Sequence, residues 1–197
     1  MCWKKRARAE ICRDVLEENS TGRDLRGCIG KKAADARIVG WEENRDKERE
    51  ELQIRESREN DIAEIAALEK ECFTDPWSEE SLRDAAGTRS FVATEGESVV
   101  GYIITRCVAG EAELFRICVK SEARGKGTGR LLLKEGLEAA KADGAEKMFL
   151  EVRSRNVPAR ALYASAGFEE AGLRKGYYSD PEDDAVILVK HMDKTIF

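Results

Sequence analysis

The sequence predicts an α/β domain of the mixed (α+β) kind: one mostly antiparallel central sheet of about seven strands, with helices on both faces. Three observations lead there. The runs "SFVATEG", "SVVGYIITRCV" and "AELFRICVK" follow one another with only short turns at Gly96 and Gly110 between them, and the first two read as a hairpin. Farther along, strand-like and helical patterns alternate, so strand-helix-strand crossovers join the hairpins in a mixed sheet. Apolar periodicity is orderly from residue 51 onward and unsustained before it.

Each element has a local signal. "LQIRES" alternates as a short strand, and "NDIAEIAALEKEC" reads as a helix with Asn60 or Asp61 as N-cap and apolar residues at 62, 65, 66 and 68. After "FTDPW", Ser78 is placed to cap a second helix whose first turn holds Glu79 and Glu80, where the helix dipole favours anions. The three strand-like runs come next, then a glycine-rich loop and a helix through about Ala142, stopped near Gly144. "EKMFLEVR" is a further strand, and "NVPARALYASAG" a short helix with Asn156 as cap and Pro158 in its first turn. Two strands, around 168–176 and 185–191, complete the order β-α-α-β-β-β-α-β-α-β-β.

The 197 residues suffice for one well-buried domain, with about fifty to spare. Residues 1–50 carry 13 Lys and Arg against 11 Asp and Glu, whereas the whole chain is acidic, at −5. They are expected to be a poorly packed extension, a small docking helix, or an artefact of too early a start codon; residues 51–197 are the domain. No apolar run is long enough to span a bilayer, and the basic start "MCWKKRARAE" leads into no signal-peptide stretch, so a cytoplasmic protein without a membrane partner is expected. The six cysteines show no Cys-x-x-Cys spacing and His191 is the only histidine, so no metal is expected and the thiols read as reduced packing residues. The basic run at 4–8 is too short to indicate nucleic-acid binding.

The stretch "ARGKGTGRLLL", 123–133, carries the chemistry. Gly125, Gly127 and Gly129 allow backbone amides to approach a ligand, and a loop opening a helix presents amides without intrahelical partners. Arg124, Lys126 and Arg130 add positive charge, so the loop is either a phosphate cradle or an exposed turn with solvated charges. The Gly-Lys-Ser/Thr ending of a Walker loop is absent. A dinucleotide fingerprint would follow the first strand of a parallel unit, whereas this loop follows a meander.

"RGKGTG" resembles the Arg/Gln-x-x-Gly-x-Gly/Ala loop of the Gcn5-related N-acetyltransferase superfamily, at the same place in the order of elements, and the likeness covers about residues 52–192. Three further segments are similar to the RimI group of that superfamily: "DPWSEESL" at 75–82, "LEVRSRNVPARALYASAGF" at 150–168, and "LRKGYY" at 173–178 followed by "EDDAVILV". The resemblance implies the GNAT fold, acetyl-CoA as co-substrate, and acetylation of the N-terminal alanine of a small-subunit ribosomal protein. It implies that Arg124, Gly125, Lys126, Gly127, Thr128, Gly129 and Arg130 cradle the pyrophosphate. Main-chain groups of Ile117, Cys118 and Val119 would pair with the pantetheine arm like an added strand. Family members often carry a cation at the position of Gly125 and an aliphatic residue at that of Thr128, so the loop departs from the pattern there.

Glu151 lies on a strand whose Phe149, Glu151 and Arg153 share one face, opposite Met148, Leu150 and Val152. A carboxylate there either serves chemistry or sits at an opening or beside an arginine such as Arg153. Tyr163 is seven positions after Asn156, two helical turns, so one face offers an amide and a phenol; core packing is the other reading of the tyrosine. The resemblance makes Glu151 the general base, Tyr163 the general acid, and Asn156 a contact of the pantetheine arm. Cys118 reads as a packing thiol, not a nucleophile.

By the same resemblance, Trp77, Tyr177 and Tyr178 border the acceptor groove. "YYSDPEDD" with Glu111, Glu113, Glu169 and Glu170 would either steer a basic protein terminus or be solvated surface. The competing readings are acetylation of other N-termini, lysines or small amines, and a non-catalytic acyl-CoA sensor.

Overall fold

Successive side chains on a strand point to opposite faces, and along β2 (Thr88–Glu95), β3 (Ser98–Val108) and β4 (Glu111–Val119) both sets are apolar and buried. Such strands require cover on both sides. A computed structural model describes residues 51–85 and 87–192; the expectations for 1–50, and the end of the domain at 193–197, lie outside the described residues. The sheet has seven strands in the order β1-β2-β3-β4-β5-β7-β6, with β1 at Leu52–Glu56, β5 at Lys147–Arg153, β6 at Glu169–Ser179 and β7 at Glu182–His191. Every neighbouring pair is antiparallel except β4 and β5.

That parallel pair needs a crossover, which α3 (Thr128–Ala142) supplies. With α4 (Val157–Ser165), α3 covers one face: Leu132, Leu133, Ala159 and Tyr163 pack with Ile103, Leu114, Leu150 and Val152. The other face takes α1 (Ile62–Cys72) and α2 (Glu79–Arg83), whose Ile65, Leu68 and Leu82 pack with Val92, Tyr102, Ile104 and Phe115. The element order matches the sequence reading, with 3-10 turns added at Glu59–Asp61 and Ser121–Ala123. The last two strands run longer than expected, because Gly172 and Gly176 fall inside β6 rather than ending it.

The caps are local. Ser78 Oγ accepts from the Ser81 amide at 3.1 Å, and Asn156 Oδ1 from the Ala159 amide at 3.1 Å. Asp61 does not cap α1. Its buried carboxylate instead takes two bonds from Arg55 of β1, at 2.7 and 2.8 Å, and one from the Arg58 amide at 2.6 Å. A bidentate guanidinium holds a carboxylate more strongly than a lone helix amide does.

β4 carries a bulge. Ile104 faces Arg116 while Thr105 faces Leu114, which leaves Phe115 as the extra residue. Phe115 and Arg116 therefore turn to the same face, under α1 and α2, while Leu114 and Ile117 point to the opposite core. Arg116 is 1% exposed: its guanidinium lies 4.4 Å from the Phe73 ring and 5.1 Å from that of Trp77, and it donates to the Asp75 carbonyl at 3.0 Å. The carboxylate of Glu69, fully buried, stands 3.5 Å from Arg116 Nε and also accepts from the Tyr102 hydroxyl and from the Trp77 amide at 2.9 Å. One buried ion pair thus fastens the α1–α2 connection to the bulge.

The cysteines depart from expectation. Cys72, at the end of α1, and Cys118 of β4 form a disulfide, their Cα atoms 6.6 Å apart, because α1 ends over the bulged strand. The reading of Cys118 as a reduced packing thiol is corrected accordingly. Cys107 remains a thiol.

Two stability measurements test these contacts. Hydrogen bonds from Arg55 hold the Asp61 carboxyl below the usual carboxylate range, against the opposing effect of burial and with help from the Arg58 amide. A lowered folded value means stabilisation that is complete above the unfolded carboxylate pKa, about 3.9, and is lost as pH falls through the folded value. Asp61→Asn should therefore cost about 1.5–3 kcal/mol at pH 7 in urea unfolding, and its deficit against the parent should shrink below about pH 4. Arg116→Ala should cost about 3–5 kcal/mol by leaving the Glu69 charge buried, whereas Arg116→Met combined with Glu69→Gln should recover most of that loss.

Candidate active site

β4 and β5 run side by side only where Glu111–Glu113 face Lys147–Phe149. Beyond that, β4 stays with β3 and β5 stays with β7, so the two strands part. The gap is a cleft of about 250 Å³, open to solvent, lined by Ile117, Cys118 and Val119 of β4, Gly129 of α3, and Ala159, Leu162 and Tyr163 of α4. An edge of β4 main chain faces this space, as an extended ligand with amides of its own requires.

The glycine loop forms the mouth of the cleft. Gly125 (φ 73°) and Gly127 (φ 89°) adopt the left-handed conformation that glycine permits, and nothing lies within 4 Å of where a side chain would begin at either. The mouth therefore faces open space, not protein. Gly127 caps α3, and its carbonyl accepts from the Arg130 and Leu131 amides at 3.0 and 3.1 Å. The amides just before them sit at the positive end of the helix dipole.

The three cations of the loop separate. Arg124 Nε turns inward onto the Val119 carbonyl at 2.9 Å, fixing the end of β4; Lys126 Nζ lies 3.6 Å from Glu95; Arg130 is exposed. Thr128 is buried and its hydroxyl donates to the Ala123 carbonyl at 3.2 Å, so a polar side chain is accommodated where the family pattern has an aliphatic one.

Glu151 and Tyr163 approach the gap from opposite faces of the sheet. Tyr163 belongs to the core under α3 and α4, fully buried, edge-on to Phe168 at 5.6 Å between ring centres, and it lines the cleft. Glu151 is on the face of Phe149, with its side chain 16% exposed and its carboxylate 2.9 Å from Arg174 of β6. The partner is thus Arg174, not Arg153. Arg153 donates to the carbonyls of Asp180 and Pro181, at 3.0 and 2.9 Å, and stacks 4.1 Å from the Tyr178 ring. Asn156 serves as the cap of α4, whose contributions to the cleft are Ala159, Leu162 and Tyr163.

The acceptor-side residues also divide. Trp77 is half-buried, 6.1 Å from Phe115 and fixed through Glu69 and Arg116. Tyr177 is half-buried beneath the Arg174 guanidinium, at 5.5 Å, and edge-on to Tyr178. Tyr178 is 1% exposed and supports the hairpin from within. Asp183, buried, accepts from Ser154 Oγ at 2.6 Å and so ties the β5–α4 turn to the β6–β7 hairpin.

Glu113 of β4, read from sequence only as part of an acidic surface, faces the same side as Glu151. Burial raises its carboxyl above the ordinary range; Arg106 opposes this, the Glu151 charge adds to it, and Arg174 opposes it. Glu69, Arg116 and Arg174 were not singled out either. Their partners come from distant segments, so no local spacing marks them.

Comparison with known proteins gives this geometry a family. The model of the "Acetyltransferase (GNAT) family" matches residues 62–168. The [ribosomal protein bS18]-alanine N-acetyltransferase of Escherichia coli (strain K12) is 35% identical over 132 residues, covering 65% of this chain and 89% of that one. The crystal structure of the ribosomal-protein-S18-alanine N-acetyltransferase from Escherichia coli superposes with a TM-score of 0.66 at 29% identity, over 75% of this chain and 99% of that one. The NatC complex bound to Gag peptide and CoA shares the fold alone: TM-score 0.65 at 20% identity, over 73% of this chain and 99% of that one. Matched over more than half its length, and spanning a relative almost end to end, the chain belongs to the GNAT family of acetyltransferases.

Proposed function

We propose that this chain acetylates the α-amine of the N-terminal alanine of a small-subunit ribosomal protein, using acetyl-CoA, in the cytoplasm. One observation carries the reading: the parting of β4 and β5 opens a cleft that joins an unobstructed glycine mouth to the Tyr163 phenol. The choice of acceptor follows the Escherichia coli relatives named for ribosomal protein S18 alanine. Among the described residues, no helix is long and apolar enough to cross a membrane.

The residues present fit the co-substrate. Gly125 and Gly127 leave room for a diphosphate, with Lys126 and Arg130 beside it, and Gly129 at the cleft wall has only Leu162 and Val119 at 3.6 and 3.7 Å from a notional side-chain carbon. A slim arm passes there. Ile117, Cys118 and Val119 offer it main chain, and Arg124 steadies the last of these.

Acetyl-CoA supplies an activated acetyl group. Glu151 takes a proton from the acceptor ammonium, directly or through water, and Tyr163 gives one to the departing sulfur from the opposite side of the gap. An α-amine with a pKa of about 8 yields its proton more readily than a lysine of about 10.4, which favours an N-terminus. Trp77 and Tyr177 border the acceptor.

Acetyl-CoA consumption with peptides of free N-terminal alanine, compared with the same peptides blocked at the α-amine, tests the assignment. Turnover should need the free α-amine. Acetylation of blocked peptides at lysine would favour the lysine reading, and acetyl-CoA binding without turnover on any amine would favour the sensor. Tyr163→Phe should lower kcat by about 100-fold or more with acetyl-CoA affinity little changed, and Glu151→Gln should alter the pH dependence of kcat. Undiminished turnover in Tyr163→Phe would remove the tyrosine from the mechanism.

A further inference from the structure

Acetylating an ammonium releases one proton per turnover: ammonium and thioester become amide, thiol and H+. If Glu151 collects that proton, it must be emptied before the next acceptor arrives. Its neighbours limit where the proton can go. Arg174, 2.9 Å away on β6, is a cation and takes no proton at neutral pH; Arg153 of β5 is likewise a donor, turned to the carbonyls of Asp180 and Pro181. Tyr177, half-buried, lies under Arg174. From β3, Arg106 presents a guanidinium stacked at 5.4 Å from Phe115. Glu111 of β4 is held by Lys147 at 2.7 Å, at the far end of the β4–β5 pairing. Glu113 is what remains.

We propose that Glu113 is a positioning residue for proton transfer: it receives the acceptor's proton from Glu151 and releases it to solvent. The inference rests on the assignment of Glu151 as base made above. Glu113 stands opposite Phe149 across the parallel seam, and Glu151 is two residues farther along the same face of β5. With a rise of about 3.3 Å per residue and a spacing of about 4.8 Å between strands, the two Cα atoms lie roughly 8 Å apart, a diagonal that two glutamate side chains close, with one bridging water if needed.

Glu113 is half-buried, so its carboxyl reaches both the interior of the seam and the solvent. The direction of its proton affinity agrees with the role: burial and the Glu151 charge raise it, against Arg106 and Arg174. In each cycle an N–H bond of the ammonium breaks and an O–H bond forms on Glu151. That O–H breaks as one forms on Glu113, and buffer takes the proton from there. No electrons change hands and no further reactant is required.

The test uses the full chain with acetyl-CoA and a peptide of free N-terminal alanine, in weakly buffered solution at neutral pH. Glu113→Gln should lower kcat by roughly tenfold, less than loss of a direct general base, leave KM for acetyl-CoA unchanged, and regain turnover as imidazole is added. Glu113→Asp should keep most of the parent kcat without imidazole. An unchanged kcat in Glu113→Gln would overturn the relay, as would a loss that imidazole does not relieve. Should Glu113→Gln fail to fold by circular dichroism, Glu113→Asp decides alone: a folded Asp variant as slow as Glu151→Gln, with no response to imidazole, overturns the relay. Parent enzyme that acetylates no α-amine would sink the assignment of function instead, so the two failures are told apart.

Discussion

The parting of β4 from β5 is the constraint on which the rest of the structure depends. Two strands held together along their whole length would satisfy each other's main chain and leave no slot. Here they share only a short parallel seam before each follows its antiparallel partner. The bulge at Phe115 falls just before the point where β4 must face the cleft, and it re-phases the strand so that Ile117 and Val119 anchor in the α3–α4 core while Cys118 turns to α1. A strand with an exposed edge in mid-sheet is thereby held by its side chains on both faces.

The gap also explains why two chemical groups with opposite tasks avoid neutralising each other. Glu151 and Tyr163 lie on different sides of the sheet, one beside cations on a half-open face and the other inside an apolar layer. Separation by the backbone plane keeps the carboxylate among Arg174, Arg106 and Glu113, where its charge has partners, and keeps the phenol dry. A donor and an acceptor entering from the two faces would meet only where the plane is interrupted.

Much of this was legible in the chain. Ser78, Asn156 and the glycine loop act within a few residues of themselves, so their roles follow from short-range stereochemistry, and the alternation of both-sided apolar strands demanded two helical layers. Asp61 was misplaced as a cap because a stronger partner, Arg55, arrives from β1. The same cause hid Arg174 behind Arg153 as the partner of Glu151, and hid the pairing of Glu69 with Arg116: each joins segments brought together only by the sheet. The bulge left no sequence mark at all, and without it Arg116 would be assigned to the wrong face. The disulfide spans 46 residues, and no spacing rule connects its ends.

That covalent link has a mechanical meaning. Cys72 leads directly into the segment that carries Trp77, and Cys118 is part of the wall that faces the cleft. A bond between them makes the rim that meets one reactant and the wall that meets the other a single rigid girder. A displacement on either side is transmitted to its counterpart without passing through any soft, solvent-filled joint.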